Sequence, residues 1–147
     1  MNLEYRMMRG QPDWGIQSGI DGLTKFVTTT GIIAIDLDTD KLAGACMMDK
    51  WTETTVHAHL TLVDSEAALH GFPEYVSNYL FNEMKRQRVY GMVPADNEKA
   101  LQITSYIGFE VKAVLEEAYA VGVDYLLLEL TRANCRFIDT EIDEKVA

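Results

Sequence analysis

Cysteine is scarce in this chain of 147 residues, which contains only Cys46 and Cys135. The two lie far apart and outside any CxxC spacing, so neither a disulfide framework nor a zinc ribbon is predicted. Long apolar runs are also missing, because no stretch approaches the ~18 residues that cross a bilayer. The first ten residues lack the apolar core of a signal peptide. We therefore expect a cytoplasmic protein that does not bind membranes.

Positive charge is in short supply as well. The chain has 13 Lys and Arg against 23 Asp and Glu, a formal net charge of -10. A field of that sign repels phosphate backbones and anionic lipids, which disfavours nucleic-acid partners and membrane surfaces. The 48% hydrophobic and 24% charged residues are typical of a folded protein, and the length suits a single domain.

The hydrophobic period changes repeatedly after residue 30, in the order β-β-β-α-β-α-β-β. This order predicts an α+β fold with a mixed sheet, in which antiparallel hairpins lie at both ends. Strands are predicted over residues 31–38, 42–49, 54–63, 89–93, 109–119 and 123–131, and helices over 73–86 and from a cap at Asp96 or Asn97 to Gly108.

The flanking regions are less regular. We expect residues 1–30 to form a short N-terminal region that packs on the domain of residues 31–131. Within it, residues 26–29 could add a strand, and residues 10–22 are predicted as loop or a short helix. Residues 132–147 are predicted as an acidic C-terminal tail.

The clearest motif spans residues 97–109, NEKALQITSYIGF. It matches Asn-x-x-Ala/Ser, seven variable residues, then Gly-Phe, and it follows a strand, VYGMV. The next stretch, FEVKAVLEEAYAVGVDYLLLEL, adds a long strand, Gly-x-Asp and a final strand. In these features the chain resembles the GCN5-related N-acetyltransferase (GNAT) superfamily. It is also similar to compact acetyltransferase-like proteins of tailed bacteriophages, which would place it in the host cytoplasm.

The resemblance implies a GNAT-like acyl-CoA N-acyltransferase fold. Its central sheet would splay between the strands at 54–63 and 88–93 to admit acetyl-CoA as co-substrate. An amine acceptor, either a protein N-terminus, a lysine or a small amine, would attack the thioester directly in a ternary complex, with the protein acting as a monomer or homodimer. Coenzyme contacts are implied for the backbone amides of Leu62 and Val63 and for His70, Gly71, Phe72, Asn97 and Thr104.

One loop departs from the family pattern. Members usually carry Gln/Arg-x-x-Gly-x-Gly/Ala there, because glycines let the backbone wrap a pyrophosphate at a helix N-terminus. This chain reads DSEAALHGFPEYV, with Gly71 as its only glycine and with Asp64, Glu66 and Glu74 as its charges. The departure keeps a second function open, a catalytically impaired GNAT-fold protein that acts as an acidic protein-interaction module.

His57 and His59 are the candidate general bases, since neutral imidazole accepts a proton near physiological pH. Both alternate with apolar residues on one predicted strand, where a histidine can equally be structural. Tyr106 is the candidate acid for the departing thiolate, although the family position is occupied by Thr104. The alternatives are a packed or surface tyrosine at 106 and a simple helix cap at Asn97.

A rival site involves the first hairpin. If Asp49 pairs with Thr54, Cys46 lies opposite His57, and a two-residue change of register places it opposite His59. Cys46 and the histidines could then bind a metal or form a Cys–His nucleophile. The resemblance implies no metal, and none is predicted. Asp49 itself could hold a cationic amine or face solvent.

Overall fold

The computed structural model describes residues 1–9, 30–63 and 71–138. Predictions for residues 10–29, for His70 and for 139–147 lie outside these ranges. The chain divides into two compact units, one of Met1–Trp51 with His57–Val76 and the other of Thr52–Val56 with Ser77–Ala147. In the described ranges, no helix is long and apolar enough to cross a membrane.

The first unit is built on four antiparallel strands in the order β1-β2-β3-β4. Their bounds are Leu3–Arg9 (β1), Thr30–Asp36 (β2), Lys41–Asp49 (β3) and Thr55–Leu62 (β4). The last three confirm the predicted strands to within two residues. Strand β3 is buried along most of its length, and Met47 and Met48 are fully inaccessible to solvent. This strand is therefore the centre of the first core.

Strand β1 was not predicted, although its sequence carries a signal. Apolar Leu3, Tyr5 and Met7 alternate with Glu4 and Arg6, and this alternation is typical of a half-buried strand. The charged residues are exposed in the structure, and Tyr5 pairs with Ala34 of β2.

A close approach in the first core explains one glycine. A Cβ at Gly44 would lie 2.9 Å from the ring of Phe72, the first residue of helix α1, Phe72–Asn78. Phe72 is fully buried and stacks at 5.8 Å on Tyr5. Any larger residue at 44 would push this ring out of its place.

The second unit contains three antiparallel strands in the order β5-β7-β6. They are Arg88–Pro94 (β5), Glu110–Ala120 (β6) and Val123–Thr131 (β7). Strand β7 is the central strand of this unit, because it pairs with β5 on one side and with β6 on the other. Strand β6 is the outer strand of this unit.

Helix α2, Glu98–Ile107, confirms the predicted helix and its caps. The side chain of Asn97 accepts a hydrogen bond from the N–H of Ala100 at 3.1 Å. Gly108 adopts a φ of 124° and donates its N–H to the carbonyl of Thr104. Residues 97 and 108 thus set the two ends of the helix by the chemistry expected of Asn and Gly.

The predicted helix over 73–86 is interrupted. Helix α1 gives way to a π-helical turn at Tyr79–Glu83, which ends where the N–H of Met84 bonds the carbonyl of Tyr79 at 2.8 Å. The guanidinium of Arg132 donates to the carbonyl of Phe81 and, at 2.9 Å, to Asn82 Oδ1. This tertiary contact supports the wider turn, and helical spacing in the sequence cannot reveal it. Seven strands and two helices in the described residues agree with the α+β class.

Candidate functional site

His57 and His59 share one face of β4 with Asp49, the last residue of β3. Asp49 pairs with His57, and Met47 pairs with His59. The diagonal contact is the close one, since His59 Nε2 lies 3.0 Å from Asp49 Oδ1. On the other oxygen, Lys50 Nζ lies 3.8 Å from Asp49 Oδ2. We call Asp49, His57 and His59 the acid–histidine cluster.

The acid–histidine cluster is partly shielded from water. The side chain of Asp49 is 13% exposed and that of His59 is 26% exposed. Burial lowers the pKa of His57 from its ordinary value, and the positive charge of Lys50 lowers it further, while Asp49 acts in the opposite direction. His57 is therefore a neutral imidazole at physiological pH, the form that accepts a proton.

Asp49 was not predicted in this role. The sequence suggested that it would face solvent or hold an amine, but its carboxylate is mostly buried against His59. The available signal was its position at the end of β3, next to a strand with two histidines on one face. Because diagonal neighbours in an antiparallel pair come within reach of long side chains, such a carboxylate can bind either histidine.

The rival site at Cys46 is contradicted. Cys46 pairs with Leu60 rather than with His57 or His59, so it lies on the opposite face of the hairpin from the histidines. The expected register fails because residues 52–55 are used in a turn, in which the N–H of Thr52 bonds the carbonyl of Thr55 at 2.9 Å.

The chemistry of the thiol agrees with this correction. Burial raises the pKa of Cys46 to about 12, so the thiol stays protonated and is a poor nucleophile. Across residues 1–9, 30–63 and 71–138, no group of three or more His, Cys, Asp or Glu could hold a metal ion.

The two backbone amides at the end of β4 differ in direction. The N–H of Val63 donates to the carbonyl of Ala43 at 2.9 Å, so it is committed to the pairing with β3. Since successive N–H groups of a strand point to opposite sides, the N–H of Leu62 points away from β3. Of the two amides implied for the thioester, only that of Leu62 is turned away from the β3–β4 ladder.

Gly71 and Phe72 lie where α1 begins. Gly71 has a φ of 94°, and its carbonyl accepts the N–H of Tyr75 at 2.9 Å. The Phe72 side chain is a core residue, so the coenzyme contact expected of Phe72 stays a prediction and would be made by its backbone N–H. Glu74 adds a negative charge in the first turn of the helix.

The residues implied on α2 all have structural explanations in the second unit. Asn97 is the helix cap described above. The hydroxyl of Thr104 donates to the carbonyl of Ala100 at 2.8 Å. Tyr106 is 49% exposed, and the guanidinium of Arg136 lies 4.0 Å from the centre of its ring. The catalytic or coenzyme roles implied for these three residues stay predictions.

Several solved structures similar to this one are named as acetyltransferases or putative acetyltransferases. A chimera of spermidine N-acetyltransferase SpeG from Vibrio cholerae and hSSAT superposes with a TM-score of 0.68 at 12% identity, covering 89% of this chain and 96% of the other. A putative GNAT acetyltransferase from Desulfovibrio desulfuricans gives 0.64 at 13% identity, over 88% and 99%. A GNAT acetyltransferase from Bacillus anthracis gives 0.55 at 16% identity, over 69% and 65%.

These similarities establish the fold. The chain has the GNAT acyl-CoA N-acyltransferase fold that the motif at residues 97–109 indicates. No family model and no curated protein matches the sequence of the chain.

Proposed function

We propose that this protein is an N-acetyltransferase that transfers an acetyl group from acetyl-CoA to a primary amine. The observation that carries the proposal is the acid–histidine cluster, which places a neutral imidazole on a strand of an acetyltransferase fold. The similar solved structures, named as acetyltransferases, support the same reaction class.

The reaction is a direct attack of the amine on the thioester. The amine nitrogen forms a bond to the acetyl carbon and loses a proton to His57 or His59. The bond between that carbon and sulfur breaks, and the sulfur leaves as a thiolate that takes up one proton to give free coenzyme A. Leu62 donates its N–H to the thioester oxygen, where negative charge develops in the transition state.

The donors for the coenzyme are mostly backbone groups. The pyrophosphate would bind at the start of α1, at the backbone of Gly71 and the N–H of Phe72. The negative charge of Glu74 in the first turn would repel it. We therefore expect weaker coenzyme binding than a glycine-rich loop with a cationic side chain would give. Asn97 and Thr104 remain proposed coenzyme contacts, and Tyr106 remains the proposed proton donor for the thiolate.

The acceptor is proposed to be cationic. A net charge of -10 raises the local concentration of amines that are positively charged in solution. A similar structure is named as a spermidine/spermine N-acetyltransferase, which makes polyamines one class to test. Peptides with a free N-terminus and peptides with a single lysine are the others.

Thermal unfolding with increasing acetyl-CoA tests the proposal first. Saturation at about 100 times the dissociation constant should add ~2.7 kcal/mol to stability and raise the Tm by about 5–10 °C. Desulfo-coenzyme A should bind as well, whereas adenosine alone should not. Release of coenzyme A thiol is then measured with each acceptor class, and turnover with none of them would contradict the proposed reaction.

A second function has its own supporting observation. The loop that would bind pyrophosphate lacks the expected glycines and cations, and the chain is strongly acidic. An acidic interaction module that binds a basic protein would use the negative charge and would need neither the glycines nor the cations of a pyrophosphate loop. The absence of any thermal shift with millimolar acetyl-CoA, together with capture of a basic partner, would favour this function.

A further inference from the structure

Asp49 and His59 form a hydrogen bond whose direction can be worked out. A carboxylate has only acceptor sites, so at the 3.0 Å contact the hydrogen must lie on His59 Nε2. A neutral imidazole carries one ring hydrogen. With that hydrogen on Nε2, the lone pair is on Nδ1, the nitrogen that does not face Asp49.

The carboxylate is itself held in place. Asp49 is a paired residue of the β3–β4 ladder, opposite His57, and its side chain is mostly buried. Its second oxygen, Oδ2, lies 3.8 Å from Lys50 Nζ. The two oxygens are thus used differently, Oδ1 toward His59 and Oδ2 toward Lys50.

We propose that Asp49 is a positioning residue that fixes the tautomer and ring orientation of His59, so that Nδ1 is the atom that accepts the proton of the attacking amine. The inference rests on the proposed acetyltransferase function. As the amine nitrogen bonds to the acetyl carbon, its proton moves to Nδ1, and the imidazolium that forms keeps its Nε2–H bond to the carboxylate. Asp49 accepts this hydrogen bond throughout and touches neither substrate.

The variant that isolates this role is Asp49→Asn. The amide has almost the same shape, but its NH₂ group can donate to Nε2, which moves the ring hydrogen to Nδ1 and removes the lone pair from that atom. General-base catalysis contributes about 10²–10⁴-fold, so we expect kcat to fall by about 100-fold or more. A residue that only fastened β3 to β4 would instead lower stability and leave kcat unchanged.

The tautomer is read directly from ¹⁵N-labelled full-length protein. The chain has only three histidines, so a long-range ¹H–¹⁵N spectrum is simple, and His57→Gln and His59→Gln assign the signals. At neutral pH we expect the Nε2–H form for His59 in the unchanged protein and the Nδ1–H form in Asp49→Asn. An Nδ1–H form in the unchanged protein would overturn the proposal.

Lys50→Asn is the matched control. Asn tolerates the positive φ of 50° at this position and removes the other partner of Asp49 without touching Oδ1. We expect it to keep the Nε2–H tautomer and a kcat within about twofold of the unchanged protein. Loss of the tautomer in this control would show that Lys50 rather than Asp49 controls the ring, and would overturn the assignment.

The spectrum and the kinetics separate two kinds of failure. An unchanged protein with the Nε2–H tautomer but no turnover contradicts the acetyltransferase function and leaves the hydrogen-bond assignment standing. Normal turnover in Asp49→Asn, with the tautomer reversed, keeps the function but overturns the role of Asp49.

Discussion

Helix α2 and the β3–β4 hairpin carry different kinds of information about this protein. The helix contains the motif by which the chain resembles known acetyltransferases, and its residues act in the structure as cap, terminator and packing surface. The hairpin has no motif, but it brings a carboxylate and two histidines together on one face. The motif therefore indicates the fold, whereas the candidate site depends on contacts between strands that no local sequence pattern encodes.

The largest effect on the helix side is expected for Gly108→Ala. A Cβ at this position would lie 2.0 Å from the carbonyl oxygen of Asn134, and the φ of 124° is unfavourable for alanine. We expect a loss of at least about 2 kcal/mol in the free energy of unfolding, measured by denaturant titration.

Gly122→Ala is the control for this substitution. Gly122 also has a positive φ, 75°, but a Cβ there would meet no atom within 4 Å. Its replacement should cost about 1–2 kcal/mol from backbone strain alone. Equal losses of stability in the two variants would show that the close approach of Asn134 is not the reason why residue 108 must be glycine.

Asn97→Ala should have a smaller effect on the same helix. Removal of the side chain that caps Ala100 is expected to cost about 0.5–2 kcal/mol of stability, measured by denaturant titration. Asn97→Asp retains a capping oxygen and should restore most of the loss, while Gln102→Ala on the exposed surface of the helix should cost little. Because Asn97 is also a proposed coenzyme contact, the KM for acetyl-CoA is measured in the same variants. A rise in KM at unchanged stability would contradict the cap as the main role of Asn97 and weaken the contrast between the two regions.

Much of the fold could be predicted because its signals are local. The alternation that marks β2, β3 and β4 and the caps of α2 depend on neighbouring residues. The π-helical turn at Tyr79–Glu83 could not be predicted, since it is supported by Arg132, which lies far along the chain.

The candidate site was predictable only in part. The shared face of His57 and His59 follows from a period of two along one strand. Their partner does not, because it depends on how many residues the turn before β4 consumes. With Thr52 and Thr55 bonded in that turn, Asp49 rather than Cys46 comes near the histidines. The register predicted from the sequence was wrong, and it therefore placed Cys46 on the face of the histidines and left out Asp49.

The smallest predicted effect is electrostatic and lies in the hairpin. Burial is the main cause of the lowered pKa of His57, and Lys50 is the second. Lys50→Asn should therefore raise the pKa of His57 toward its ordinary value, measured by an NMR titration of the ring. The pKa of His57 in the folded protein is below that in the unfolded chain, so the unfolded chain takes up a proton first as the pH falls. The stability of the folded protein therefore decreases as the pH falls through the ordinary pKa of histidine toward the lower pKa of His57.

In Lys50→Asn that acid-induced loss of stability should become smaller. The acid side of the kcat/KM profile should stay in place, because His59 and not His57 is proposed to accept the amine proton. Lys41→Asn, at the other end of β3, removes the same charge far from the histidines and should leave both the His57 titration and the acid-induced loss of stability unchanged. A kinetic profile that moves together with the His57 titration would identify His57 as the base and contradict the assignment of His59.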